Sequence, residues 1–352
     1  ATCPTYQLLG DELDSPRGRI YLIKSALEKN QFSQKSLSHM DRCLTCRSCE
    51  TTCPSGVEYG QLLEIGREMM ESKRGKLQAL YRYIVRKTLL TPLLFRPIGY
   101  FLRHSKVSSK PIKPNTIDSS VLLMGGCVQP TLAPNINHSI KNILAKLNIE
   151  VRESSQSECC GALDQHLAAS NDALKKVKRN IDTWISQLDS GVEAIISSAS
   201  GCGVMIKDYP NLFEESDPYY EKALLVSSKT KDIAEFLANK DLSMLNLKEL
   251  NISYHEPCTM QHGQKLGGLV ESILSDFGYI KKTVKDSHIC CGSAGTYSIF
   301  ETKIANQLRS EKIENLNASK PKMIVTSNIG CLMHLQKGSS IPVKHWVELL
   351  DV

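Results

Sequence analysis

The sequence predicts a mixed α+β chain of several domains: a small helical unit, then two duplicated α/β units with parallel sheets. Three observations predict it. A dense cysteine run, CLTCRSCETTCP at residues 43–54, lies between two helix-like segments. From Val121 onward short apolar strands alternate with helical stretches, the pattern of an open sheet with parallel strands. The pattern then occurs twice with cysteines in register, as VLLMGGC, ECCG and IISSASGC in one half and ISYHEPC, ICCG and MIVTSNIGC in the other. Cys127 to Cys258 is 131 residues, Cys159 to Cys290 is 131 and Cys202 to Cys331 is 129. Internal duplication explains that register.

Residues 1–72 form the first expected unit. Ser15 and Pro16 start a helix whose apolar positions are Ile20, Leu22, Ile23 and Leu27, and residues 59–72 start another that buries Leu62, Leu63, Ile65, Met69 and Met70. Between them Cys43, Cys46, Cys49 and Cys53, followed by Pro54, have the spacing of the bacterial ferredoxin run for a [4Fe–4S] cluster. In that pattern three thiolates on one loop bind one cluster, while the fourth reaches a second cluster held by another copy of the motif. The chain opens ATCP, so Cys3 and Pro4 repeat only the end of the motif, and the sequence reads as beginning inside it. Cys3 is therefore expected with Cys43, Cys46 and Cys49 around one [4Fe–4S] cluster. Cys53 is expected to point toward a second cluster whose remaining ligands are missing. A disulfide or zinc knuckle is the bland reading, but zinc sites favour two separated pairs.

Residues 73–118 read as a basic helical connector and linker. Residues 73–113 carry eleven Lys or Arg and no Asp or Glu, within a net charge of +6. The excess suits either an anionic membrane face or acidic partner, or simply a solvated connector. It comes with no nucleic-acid-binding motif, so nucleic acid is not an expected partner. TLLTPLLFRPIGYFL is the most apolar stretch, and Pro92, Arg96 and Pro97 interrupt it, so it is not expected to span a membrane. The segment KVSSKPIKPNTIDSS reads as a linker. The chain's 352 residues allow a sizeable core without disulfides, and thirteen cysteines are an odd number. A reducing cytosol with metal-bound thiolates is the expected setting, with docking at the inner face of the plasma membrane the alternative the basic segment suggests.

Residues 119–240 and 241–352 are the two duplicated units. In each, the first and last cysteines follow strands, at the sheet edge where open α/β folds place ligands. A glycine after each doublet lets adjacent thiolates turn toward one point. Cys127, Cys159, Cys160 and Cys202 are thus one candidate metal set, and Cys258, Cys290, Cys291 and Cys331 the other. Four thiolates suit zinc or an iron–sulfur centre. His255, His262, His288, His334 and His345 lie near these strands and read as packed or hydrogen-bonded histidines. His255, three residues before Cys258, is the one placed for a proton relay. No GxGxxG follows a strand, and no hydrolytic constellation stands out, so no catalytic residue is assigned.

On ATCPTYQLLGDELDSPRGRIYLIK, CLTCRSCETTCPSGVEYG, GGCVQPTLAPN, ASGCG, DSHICCGSAGTYS, IVTSNIGCLMHL and VKHW, the chain resembles the iron–sulfur subunits of bacterial glycolate oxidase, also called glycolate dehydrogenase. The wider superfamily includes subunits of heterodisulfide reductase, anaerobic glycerol-3-phosphate dehydrogenase and lactate-utilisation enzymes. The resemblance implies two [4Fe–4S] clusters in the intact subunit, two cysteine-rich domains, and a complex with FAD-containing subunits that oxidise glycolate to glyoxylate. Electrons would pass through this chain to quinone or another membrane acceptor. Heterodisulfide reductase relatives end each half in CxxC, whereas SGCGVM and NIGCLM here each lack one thiolate. Two other readings are disulfide or quinone reduction at the second cysteine-rich half, and a non-redox scaffold holding zinc.

Overall fold

The computed structural model describes residues 2–29, 32–107, 110–156, 159–245, 250–281 and 283–351. Ser108 and Ser109, inside the expected linker, lie outside the described residues.

The N-terminal unit is built from helices. Pro4 and Pro16 open the helices Pro4–Leu9 and Pro16–Lys29, where a missing N–H costs nothing. Ser33 caps Gln34–Asp41 through a reciprocal bond with Ser36. The last helix of the unit is Tyr59–Glu71. Ile23, Ala26, Leu37, Met40, Leu63 and Met70 form its core. Ile65, expected inside, is exposed instead, as is Leu27. The face that Ile65 would have shared belongs to Gly66 and Arg67. A Cβ on Gly66 would lie 2.6 Å from Ile23 Cγ1, so glycine is what lets the two helices touch. Arg67 donates to the carbonyls of Met40 and Cys43 and is paid for by that local network.

The connector forms two helices, Lys76–Leu90 and Pro92–Phe101, which turn at Thr91 before Pro92. Much of its charge is spent inside the molecule. Arg74 and Arg82 pair with Asp41, Arg86 pairs with Asp164 and Asp172, and Lys87 pairs with Asp172. Its apolar side chains are left outside: Leu77 is 85% exposed, Leu93 83% and Phe101 87%. No described helix is long and apolar enough to cross a membrane.

Two four-stranded parallel sheets follow. The first has β1 (Ser119–Leu123), β2 (Ile149–Arg152), β3 (Ala194–Ser197) and β4 (Thr230–Asp232) in the order β2-β1-β3-β4. The second has β5 (Asn251–His255), β6 (Ile280–Lys281), β7 (Met323–Thr326) and β8 (Val343–His345) in the order β6-β5-β7-β8. All pairs are parallel, and the order is the same in both. The central strands β1 and β3 are buried on both faces, as crossover helices require. One continuous apolar core joins both sheets, from Val121 and Ile196 to Ile324 and Trp346. At the junction Gly263 admits Val204, since a Cβ there would sit 2.4 Å from Val204 Cγ2.

Candidate metal centres

Cys3, Cys43, Cys46 and Cys49 line one cavity, although 40 residues of sequence separate the first from the second. Cys3 precedes the helix Pro4–Leu9, and Cys49 lies in the short helix Ser48–Thr51. Between the other cysteines Thr45 (φ 53°) and Arg47 (φ 57°) take left-handed backbone conformations. Non-glycine residues pay about 1–2 kcal/mol each for that, and here the loop is held by Arg67, which donates to Cys43 O at 2.9 Å and to Thr45 Oγ1. The alternating backbone turns the sulfurs of 43, 46 and 49 toward the same space.

The cavity wall is polar where it meets sulfur. Arg19 is buried and reaches Cys3 Sγ at 3.9 Å, and Tyr59 Oη donates to Cys43 Sγ at 3.7 Å. Burial alone would lower the Arg19 pKa, but Cys43, Tyr59, Cys3 and Asp14 more than offset it and keep the guanidinium charged. Asp14, fully buried, accepts from Arg19, His39 and Arg42. Burial, then Cys43 and Cys3, pushes the Cys49 thiol up to about 12. Cys46 rises too, through burial and then Cys258 and Cys43. Sulfurs that disfavour one another's ionisation in a closed space are a donor set that a cationic centre makes favourable, and four thiolates suit an iron–sulfur cluster. Cys53 is not part of this wall. Its sulfur faces the backbone N–H groups of Val57, Ser55 and Gly56, which hold its pKa down.

In the first cysteine-rich half Cys159 pushes the thiols of Cys127 and Cys160 up, with Cys202 adding to the rise at Cys160, as expected of four sulfurs gathered near one point. Asn180 donates to Cys159 O and Tyr209 to Cys160 O, fixing the doublet's backbone. Gly161 has φ 90°, and in the second half Gly292 has φ 89°. There Cys258 donates to Cys290 at 3.7 Å, and Cys290, Cys291 and Cys331 continue the contact. Burial leads the depression of the His255 pKa, with Lys312 and His334 adding to it, so the imidazole is neutral.

The other histidines find partners. His334 bonds Ala305 O, His345 bonds Ser198 O, and His262 bonds Thr51 Oγ1. The backbone of His288 lies against the His262 ring and partly offsets the lowering of its pKa by burial.

The N-terminal cavity and the second half share a wall. Leu44 and Cys46 pack in one buried cluster with Cys290, Tyr297 and Leu308, with Cys258 against it. Tyr297 Oη donates to Arg42 O at 3.1 Å, and Thr51 meets His262. The first half touches the N-terminal unit through ion pairs instead, Arg47 with Asp208 and His166 with Glu64. Burial pushes the Glu64 carboxyl up, but His166, Arg67 and Arg47 outweigh it and bring it to about 2. Nothing in the sequence distinguished the halves in this way, because both carry the same cysteine pattern. The charged pairs that hold the first half against the N-terminal unit are also far apart in sequence.

Fold and site together define an iron–sulfur protein in which a ferredoxin-type unit is joined to a duplicated cysteine-rich α/β unit. The 4Fe-4S dicluster domain model matches residues 1–58, and the cysteine-rich domain model matches residues 121–207 and 252–336. The chain is 44% identical to the glycolate oxidase iron-sulfur subunit of Escherichia coli K12, over 100% of this chain and 91% of that protein. It is 28% identical to the probable glycolate oxidase iron-sulfur subunit of Bacillus subtilis 168, over 96% and 86%. Lactate utilization protein A of the same Bacillus is 26% identical over 66% of this chain and 98% of that protein. The chain belongs to the glycolate oxidase iron–sulfur subunit family.

Proposed function

We propose that the chain carries electrons within a glycolate-oxidising complex, from FAD on partner subunits that convert glycolate to glyoxylate toward quinone or another membrane acceptor. The observation that carries this reading is the shared wall between the Cys3, Cys43, Cys46 and Cys49 cavity and the Cys258 and Cys290 pair. When bound, iron–sulfur clusters accept and release single electrons. The chain's part is to hold the four N-terminal thiolates, with Cys53 directed to the second cluster, and to keep Arg19 and Tyr59 against sulfur where added negative charge is stabilised. Leu44, Tyr297 and Leu308 keep water out of the gap between the two sites. Cys127, Cys159, Cys160 and Cys202 would hold a separate centre, and Cys258, Cys290, Cys291 and Cys331 the one next to the cavity. Residues 1–72, 73–118, 119–240 and 241–352 are the corresponding domains and connector.

The exposed apolar side chains of Lys76–Leu90 and Pro92–Phe101, flanked by cations such as Lys76 and Arg96, support a peripheral position on the inner, anionic face of the plasma membrane. Full-length similarity to two glycolate oxidase subunits, against partial coverage by the lactate protein, favours glycolate over lactate. Cys46→Ser in the assembled complex tests the route. Glycolate-dependent reduction of a dye that accepts from flavin should persist while quinone reduction falls at least tenfold. Unchanged quinone reduction would refute it.

A further inference from the structure

The two cysteine-rich halves correspond residue by residue over this region, with the same 131-residue offset at Cys127 and Cys159. That offset carries Met124, just after β1, onto His255, the last residue of β5. Met124 packs in the apolar cluster that holds Cys159 and Cys160. His255 is 2% exposed, and neither ring nitrogen has a hydrogen-bond partner among the described residues. His39, His262, His334 and His345, the other buried histidines, each have at least one ring nitrogen bonded. A ring nitrogen of His255, Cys291 Sγ and Cys331 Sγ all lie within 4.8 Å of one another. A buried imidazole without a partner needs an explanation, and an ion is one of the few that restores its lost interactions. Imidazole and thiolate together select zinc or iron.

We propose that His255 is a metal ligand, acting with Cys291 and Cys331 and completed by Cys258 or Cys290. The two halves therefore hold different centres, all-thiolate in the first and mixed imidazole–thiolate in the second. The inference rests on the reading that the second half binds metal. Exchanging a thiolate for a neutral imidazole leaves a centre less negative and, with iron, raises its reduction potential. The half that abuts the N-terminal cavity is thus the one built to attract electrons.

The test uses the full-length chain purified anaerobically, with iron and zinc counted per chain in wild type, Cys291→Ser, His255→Met and His255→Gln. X-ray absorption is recorded at the edge of whichever metal Cys291→Ser loses. The inference expects both His255 variants to lose at least half of that same metal, or to retain it with a nitrogen scatterer missing. If Cys291→Ser loses metal while both His255 variants keep wild-type content and spectra, the ligand assignment falls and the second-half site stands. If Cys291→Ser loses none, the site reading and the inference fall together. Should the His255 variants not fold, wild-type protein labelled with 15N-histidine decides for an iron centre, and the zinc-edge spectrum decides for zinc. Absence of histidine nitrogen at the metal overturns the proposal.

Discussion

Replacing Asp14 by alanine should unfold the N-terminal unit while leaving the rest of the chain folded. The Asp14 carboxylate is 0% exposed and meets Arg19 at 3.3 Å, His39 at 3.0 Å and Arg42 at 3.0 Å. Its backbone carbonyl also accepts from Thr5 and from the Cys3 thiol. Removing one partner of a buried pair strands the other, which costs about 3–5 kcal/mol, and here the stranded group is Arg19 beside Cys3. Arg42 is 34% exposed and adds no more than about 1 kcal/mol. A loss of about 4 kcal/mol is a large share of what a small domain has in reserve. The assay is urea unfolding of the anaerobically prepared chain, followed by iron retention and by a probe in the N-terminal unit. An early transition of that unit with loss of iron is expected. A change below about 1 kcal/mol with iron retained would show that Arg19 does not depend on Asp14.

Gly292→Ala should be far worse than Gly161→Ala, although both glycines follow a doublet with the same backbone angle. A Cβ at 292 would lie 2.6 Å from the Ala305 carbonyl oxygen, against 3.4 Å for the nearest atom at 161, so about 2–4 kcal/mol is expected for the first and about 1 kcal/mol for the second by thermal unfolding. Tyr59→Phe removes a donor to Cys43 Sγ. A differential bond of about 1 kcal/mol corresponds to about 40 mV, so a redox titration should find the N-terminal cluster's potential lowered by that order. Burial raises the Asp232 carboxyl to about 6. A carboxyl raised on folding stabilises the fold below its unfolded pKa, and that stability is lost as pH rises through about 6; the shift of about 2 units is worth roughly 3 kcal/mol. Asp232→Asn should therefore be more stable than wild type at pH 8 and converge with it below pH 4, as measured by denaturant midpoints.

The cysteine spacing and the 131-residue register made the modular plan readable, because ligand geometry and duplication both leave marks at fixed separations. The same holds for the helix from Pro16, where a proline and a following apolar stripe sufficed. What was not readable depends on contacts between distant residues. Ile65 belonged by period to the buried face, yet the tight contact of Gly66 with Ile23 and the bonds of Arg67 decided which side faced inward. The basic connector gave a charge count without its partners. Asp41, Asp164 and Asp172, which take up much of that charge, lie outside the segment. In the same way, identical cysteine patterns concealed which half stands beside Cys46.

The proposed route requires glycolate-derived electrons to enter this chain's iron–sulfur centres. The most direct measurement is EPR of the anaerobically purified complex, frozen after glycolate is added without an acceptor and with iron counted in the same sample. Iron should be bound, and cluster signals should appear with glycolate and be lost in Cys43→Ser. Glyoxylate formed while every cluster stays silent, or an iron-free chain that still supports quinone reduction, would contradict that route.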